Sequence, residues 1–208
     1  MILWFVFLVH CYYMLQKYFP HFLLTIYIIE SVICFINPYS RTVWYAENTP
    51  IVLLVLSITI LYIRGIRFSN TAYLLMFALP FLHTIGGHYS FERVPFDWFN
   101  DAFGFERNMF DRVAHFSVGL YAYAFAEITY TRKFITKKWL AVLCGIFMIA
   151  FVAMSYEIIE WIYAVKQGGD AGIAFLGSQG DVWDAQKDML MDTLGAMFAG
   201  MVYVFTKK

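Results

Sequence analysis

Long apolar runs separated by short polar segments extend along the chain. A helix needs roughly 20 residues to cross a bilayer, and runs of this kind are typical of membrane-spanning helices. They predict six spans, at about residues 21–37, 51–63, 71–86, 110–130, 139–165 and 183–205. The shorter runs favour short or tilted crossings. The pattern therefore predicts an all-α fold, a multi-pass transmembrane helix bundle.

Turn and capping signals separate the predicted spans. Residues 37–40, Asn-Pro-Tyr-Ser, form a turn signal, and Pro50 is expected at the start of the second span. The Ser69-Asn70 pair is expected to cap the third span. A long polar loop is predicted over residues 88–109, and a glycine-rich loop over residues 166–182 precedes the last span.

The first 20 residues are apolar and aromatic, but they lack the basic segment and the small-residue cleavage site of a signal peptide. Too little polar chain around Lys17 and Pro20 separates them from the first span for an easy hairpin. We therefore expect residues 1–20 to form an apolar N-terminal extension and residues 21–208 to form a single transmembrane helical domain. Two spans within residues 1–37 are the alternative.

Lysine and arginine are distributed unevenly between the two sides of this topology. One side carries nine: Lys17, Arg64, Arg67, Arg132, Lys133, Lys137, Lys138, Lys207 and Lys208. The other side carries five: Arg41, Arg93, Arg107, Arg112 and Lys166. Because cytoplasmic loops are the richer in lysine and arginine, we expect the first side, and both termini, to be cytoplasmic.

The composition agrees with a membrane protein, since 61% of the 208 residues are hydrophobic and only 14% are charged. The lipid bilayer is therefore the expected partner. A formal net charge of zero gives no indication of nucleic-acid binding. The oligomeric state is left open by the sequence.

Ionisable residues within the spans collect near the predicted outer surface. Asp184, Asp188 and Asp192 are four residues apart and share one face of the last helix. Other ionisable residues are predicted at the same depth, near the outer ends of their spans. They are the pair Asp111 and His115, the pair Glu157 and Glu160, and His83 and His88 at the end of the third span. Carboxylates inside a membrane are costly and rare, so their convergence marks a candidate site.

Such a cluster supports three kinds of chemistry. Imidazole and carboxylate groups bind divalent metal ions, and the candidate ligands are His83, His115, Glu160, Asp184, Asp188 and Asp192. A carboxylate beside a histidine also suits general acid–base catalysis, for which the candidates are Asp111, His115 and Glu157. A proton or coupling ion is the third possibility. Four neighbouring residues are assigned to the site without a specific role: His88, Arg107, Gln179 and Asp181.

A structural interpretation competes with each of these assignments. Arg107 and Arg112 are able to pair with the acidic side chains, and such an ion network would explain why the membrane tolerates them. Glu127 lies near the predicted inner surface and is expected to be solvated.

Several unusual segments together resemble the YjdF family of bacterial inner-membrane proteins, a family of unknown function. They are GGHYSFERVPFDWF (86–99), FERNMFDRVAHFSVG (105–119), YEIIEW (156–161) and GSQGDVWDAQKDM (177–189). The resemblance covers residues 22–205, makes residues 36–50 the first outer loop, and implies a location in a bacterial inner membrane. More distantly, Asp111 to Phe116 and the spaced aspartates before Gly195 resemble VanZ-like proteins. Neither resemblance supplies a catalytic role.

Two hypotheses for function follow. The first is a metal-dependent membrane enzyme acting on a lipid-linked or amphiphilic substrate at the outer face. The second is an ion-coupled transporter, or a non-catalytic membrane protein with a structural polar network. The charge-poor inner halves of the spans argue against a path through the membrane.

Overall fold

The computed structural model describes residues 2–169 and 178–207, which form helices joined by turns and loops. No strand occurs in these ranges, so the predicted all-α fold is confirmed. The helices are α1 (Ile2–Phe35), α2 (Arg41–Ile63), α3 (Asn70–Tyr89), α4 (Asp97–Phe103), α5 (Phe110–Gly119), α6 (Tyr121–Thr131), α7 (Lys138–Gln167) and α8 (Asp184–Thr206).

Four of these helices are long and apolar enough to cross a membrane, namely α1 over Gln16–Phe35, α2, α7 and α8. In the most apolar parts of α1, α2 and α7, only 17% of the residues are buried within the chain. Large apolar side chains such as Ile33, Leu53 and Phe151 are exposed on their outer faces. Exposed apolar surface of this extent is expected for helices that face lipid.

Helix α1 passes through Pro20 without a turn. The two apolar runs of residues 1–37 therefore belong to one helix and do not form a hairpin. Of the predicted glycine-rich loop at 166–182, residues 170–177 lie outside the described residues.

Helix α2 begins at Arg41, ten residues before the predicted span at 51–63. Ser40 caps it, because its hydroxyl accepts a hydrogen bond from the backbone N–H of Val43. Pro50 lies inside the helix, so its expected place at the helix start was wrong. Most of the predicted outer loop at 36–50 is consequently helical, and this brings Glu47 into the core with 5% of its surface exposed.

Ser69 caps α3 by accepting a hydrogen bond from Ala72 N–H, as predicted. The helix extends to Tyr89, so His88 lies in its last turn and not in the polar loop that was predicted from residue 88. The remainder of that loop includes the short helix α4. Aromatic side chains pack against one another around α4, where the rings of Phe96 and Phe99 stack at a centroid distance of 4.7 Å.

The predicted fourth span is divided into α5 and α6 at Leu120. Helix α5 packs closely against α8 through two glycines. A Cβ atom at Gly119 or Gly195 would overlap the backbone of the opposite helix. Small residues at such a contact allow two helix axes to approach closely, and this fixes the register between α5 and α8.

Contacts at the two ends of the bundle define the helix directions. At one end, Asn70 at the start of α3 donates to the carbonyl of Gln16 on α1. At the other end, His88 Nδ1 lies 2.8 Å from the carbonyl oxygen of Cys34. Helices α1 and α3 therefore run parallel. Helix α2, which connects them in the chain, runs antiparallel to both. The buried core is rich in small and aromatic residues, including Ala72, Ala126, Ala196, Ala199, Tyr123 and Tyr203.

Glu127 is buried, so the prediction that it is solvated was wrong. Its carboxylate accepts hydrogen bonds from the backbone N–H and the hydroxyl of Ser69, both at 2.6 Å. Lys207 also lies 2.9 Å from it. These contacts join the starts of α3 and the ends of α6 and α8, and they compensate the burial of the charge.

Candidate functional site

A buried arginine joins the acidic face of α8 to α5. Arg112 is 3% exposed and forms ion pairs with both Asp184 and Asp188. Asp111 and Asp181 lie a little farther away, at 3.7 and 3.6 Å from its guanidinium. The four-residue spacing of the aspartates places them on one face of α8, and the close α5–α8 contact presents that face to Arg112.

Arg107 extends this network towards the loop before α8. Its Nη1 atom lies 2.7 Å from Asp184 Oδ1 and 3.4 Å from Asp181 Oδ2. Asp181 also accepts hydrogen bonds from Lys187 and from the backbone N–H of Trp183. The Lys187 hydrogen bond, followed by that of Trp183, lowers the pKa of Asp181 below its ordinary value. Asp181 therefore retains its charge and its ion pairs until the pH falls through this lowered pKa.

Gln179 and Asn108 attach the same loop to the start of α5. Gln179 Oε1 accepts from the backbone N–H of Asn108, and Gln179 Nε2 donates to the Asn108 carbonyl. The Asn108 side chain donates to the carbonyls of Glu92 and Val94 and accepts from Phe110 N–H. Asn108 therefore holds three segments together beside the acidic network.

Replacing Asn108 with alanine should lower the free energy of unfolding by about 2 kcal/mol, because three hydrogen bonds of its side chain are lost. Thermal unfolding of the purified protein in detergent measures this loss. Asn70→Ala removes one side-chain hydrogen bond and is the control. An equal effect of the two substitutions would contradict the role of Asn108.

His115 lies one turn deeper than Arg112 and contacts three aspartates. Its Nδ1 atom is 3.3 Å from Asp192 Oδ1, and its Nε2 atom is 3.5 Å from Asp188 Oδ1 and 3.8 Å from Asp111 Oδ1. With the proton on Nδ1, the ring donates to Asp192 and turns the lone pair of Nε2 towards Asp111 and Asp188. Histidines that bind a metal ion through one ring nitrogen commonly donate the N–H of the other nitrogen to a carboxylate in this way.

The ligand atoms of Asp111, His115 and Asp188 lie within 4.8 Å of one another. One imidazole nitrogen and two carboxylate oxygens form a donor set that suits zinc, iron or manganese. Asp184 and Asp192, also predicted as metal ligands, lie on the same face of α8, but Asp184 is paired with the arginines and Asp192 with Nδ1 of His115.

This face borders a cavity of about 310 Å³ between α2, α3, α5, α7 and α8. Its polar walls include Asp111, His115, Asp188, Asp192, His83, Glu47, Tyr156 and Glu160, and its apolar walls include Ile51, Leu54, Leu79, Val118 and Val152. No lysine or arginine is among the described residues that line it. The cavity is therefore amphipathic, with an acidic side and an apolar side.

The other predicted site residues have different positions. His83 and Glu160 line the cavity, and His83 Nε2 lies 3.2 Å from Glu47 Oε2. Glu157 does not line it, and its Oε1 atom is buried without a hydrogen-bond partner among the described residues. His88 contacts Cys34 on α1 and is not part of the cavity wall.

Two polar residues of the cavity, Glu47 and Tyr156, were not predicted. Glu47 was missed because Pro50 suggested that the helix began after it. Tyr156 was missed because one tyrosine in an apolar helix has no distinguishing pattern. Its position one residue before Glu157 and four before Glu160 was the available signal, since residues four apart share a helix face.

The fold and this cluster define the chain as a multi-pass helical membrane protein with a buried Arg–Asp–His network. Residues 19–208 match the family described as predicted membrane protein (DUF2238), and the chain belongs to that family. It is 35% identical over 169 residues to the inner membrane protein YjdF of Escherichia coli strain K12, with 78% of each chain covered. The resemblance to the YjdF family and the location in a bacterial inner membrane are confirmed. No solved structure matches the chain.

Proposed function

We propose that the protein is a divalent-metal-dependent enzyme that acts on an amphiphilic, lipid-linked substrate. The observation that supports this most strongly is the convergence of Asp111, His115 and Asp188, whose ligand atoms lie within 4.8 Å. These three residues would hold the metal ion. A metal in such a site supplies Lewis acidity and lowers the pKa of bound water.

The charges of the cavity favour a bound cation. Five carboxylates line it, from Glu47, Asp111, Glu160, Asp188 and Asp192, and its described lining contains no lysine or arginine. Arg112 neutralises part of this charge from behind Asp188. Several anions in a medium of low dielectric constant repel one another, so a divalent cation would stabilise the site.

The protein side chains have distinct roles in this proposal. Asp192 fixes the ring of His115 through Nδ1, and Arg112 fixes the carboxylate of Asp188. Glu160 lines the same cavity as Asp111 and His115, which makes it the candidate for accepting or donating a proton. Glu157 keeps its predicted catalytic role only as a second candidate, since it lies outside the cavity wall.

The apolar side of the cavity supports an amphiphilic substrate. Ile51 and Leu54 of α2 and Val152 of α7 all line it, so an apolar chain has surface on two helices. The polar part of the same molecule would then meet the carboxylates of α5 and α8. Pockets that combine an apolar wall with a few converging polar groups are typical of small-molecule sites.

The side of the membrane on which the site lies follows from an inferred topology. We infer six spans, in which α3 and the α5–α6 pair complete the four long apolar helices. The excess of lysine and arginine near residues 64–67 and 132–138 then makes that end cytoplasmic. Both termini are inside in this arrangement, residues 1–20 form an extension of the first span, and the site lies towards the outer face. The distant likeness to VanZ-like proteins stays a prediction.

A metal titration tests the proposal. Adding Mn²⁺ or Zn²⁺ to chelator-treated protein should raise its melting temperature, with about 2.7 kcal/mol of stabilisation at 100 times the Kd. Asp111→Asn should remove most of this effect. Asp101→Asn changes an exposed carboxylate on α4 and should leave it intact. A lipid extract incubated with the metal-loaded protein should yield a new product by mass spectrometry, and His115→Ala should not form it.

A structural network is the second candidate, because Arg112 already pairs with two of the aspartates. In that case metal would stabilise neither the wild type nor the variants. Neutralising Asp188 together with Arg112 would then leave the protein intact.

A further inference from the structure

A second cavity, of about 300 Å³, lies at the end of the bundle opposite the acidic cluster. Helices α1 and α2 both pack on α3 and leave a groove between them. Its walls are almost wholly apolar and include Leu24 of α1, Val55 and Ile58 of α2, and Met76 and Phe77 of α3. The groove is therefore shaped for an apolar chain lying between two helices.

Basic residues surround the end of this groove. Arg64 and Arg67 follow α2, and Lys17 precedes the groove on α1. All three are exposed, and none has an ion pair with a carboxylate among the described residues. The Arg67 guanidinium lies 4.8 Å from the ring centre of Tyr62, which lines the groove. Three uncompensated positive charges are thus held beside an apolar groove.

We propose that this groove binds an anionic phospholipid. One acyl chain lies between α1 and α2, and the phosphate is bound by Arg64 and Arg67 with help from Lys17. Basic pockets between membrane helices on the cytoplasmic side are suited to anionic headgroups, and arginine binds phosphate oxygens in a bidentate manner. A single anionic phospholipid satisfies both the apolar walls and the basic end.

The lipid site is independent of the proposed metal site. Among the described residues, none lines both cavities, and none that lines the groove carries a carboxylate. A zwitterionic lipid also has a phosphate, but its ammonium group cancels that charge, so it brings no net negative charge to the three basic residues. The proposal therefore commits to an anionic headgroup.

Native mass spectrometry of the detergent-purified protein tests this site, with phosphatidylglycerol and phosphatidylcholine as the added lipids. The wild type should retain phosphatidylglycerol in preference to phosphatidylcholine. Arg64→Gln with Arg67→Gln should weaken phosphatidylglycerol binding by about 25-fold, because each basic residue contributes about a fivefold effect. Arg132→Gln with Lys133→Gln removes two exposed charges elsewhere at the same end and should leave binding unchanged.

A second pair of variants tests the apolar part of the groove. Ile58→Trp fills the groove and should reduce retention of the lipid, whereas Ile60→Trp places the same side chain on an exposed position of α2. Equal retention of the two lipids by the wild type would overturn the proposal. Unchanged binding in the Arg64/Arg67 variant, or an equal loss in the Arg132/Lys133 variant, would also overturn it.

Discussion

Arg112→Met should destabilise the protein by about 3–5 kcal/mol, which is the range for removing one partner from a buried ion network. The substitution keeps most of the side-chain volume, but it leaves Asp188 without its guanidinium partner and Asp184 with that of Arg107 alone. Both carboxylates are buried, at 4% and 8% exposure, so water cannot replace the lost ion pairs. Thermal or denaturant unfolding in detergent measures the loss.

Two controls separate charge from packing at this position. Arg93→Met breaks an exposed pair with Glu92 and should cost no more than about 1 kcal/mol. Adding Asp188→Asn to Arg112→Met should restore much of the stability, since the unpaired buried charge of Asp188 is removed while Asp184 keeps its ion pair with Arg107. If the single variant is as stable as the wild type, Asp188 has another counter-charge and the network is described wrongly.

Gly195→Ala should cost about 3 kcal/mol, at the upper end for an overpacked contact. A methyl group at this position would overlap the carbonyl oxygen of Phe116, and a backbone atom cannot rotate away. Helices α5 and α8 must then separate, and the distances between His115 and the aspartates must increase. The effect should appear as a lower melting temperature together with weaker metal binding.

Gly200→Ala provides a matched control on the same helix. Its added methyl group would meet Val142 Cγ1 at 2.7 Å, and this side chain has room to adjust by rotation. Its cost should therefore be clearly smaller than that of Gly195→Ala. Similar losses for both variants would mean that the α5–α8 contact is not the tightest packing in the bundle.

The membrane class and the helical fold were predictable because long apolar runs have no other stable arrangement in a bilayer. Helix boundaries were less predictable where two local signals competed. Pro50 suggested a helix start, but Ser40 provides the cap and α2 accommodates the proline in its interior. The proline has no N–H to donate, and the preceding residues still pack against α3.

The candidate site was partly predictable for a topological reason. When successive spans alternate in direction, four ionisable residues fall at the same depth in the membrane: Asp111, His115, Asp188 and Asp192. The structure brings their side chains together. The spacing of the aspartates could not reveal which of them meets Arg112 and which meets His115. That division depends on the register of α5 against α8, which Gly119 and Gly195 fix through contacts that are distant in sequence.

Burial of Glu47 and Glu127 could not be predicted from their neighbours. Each lies beside a group from another helix: His83 Nε2 is 3.2 Å from Glu47, and Ser69 donates hydrogen bonds to Glu127. Such pairs depend on tertiary packing, which overrides the preference of a carboxylate for water when its hydrogen bonds are satisfied.

The metal content of the purified protein tests the central claim most directly. Elemental analysis would compare the wild type with His115→Ala and His88→Ala, each purified from the membrane without chelator. The wild type and His88→Ala should contain about one equivalent of a divalent transition metal. His115→Ala should contain almost none, because the imidazole ligand is lost while the lipid-facing surface is unchanged. Absence of metal from the wild type, or equal metal in all three proteins, would contradict the assignment of Asp111, His115 and Asp188 as a metal site.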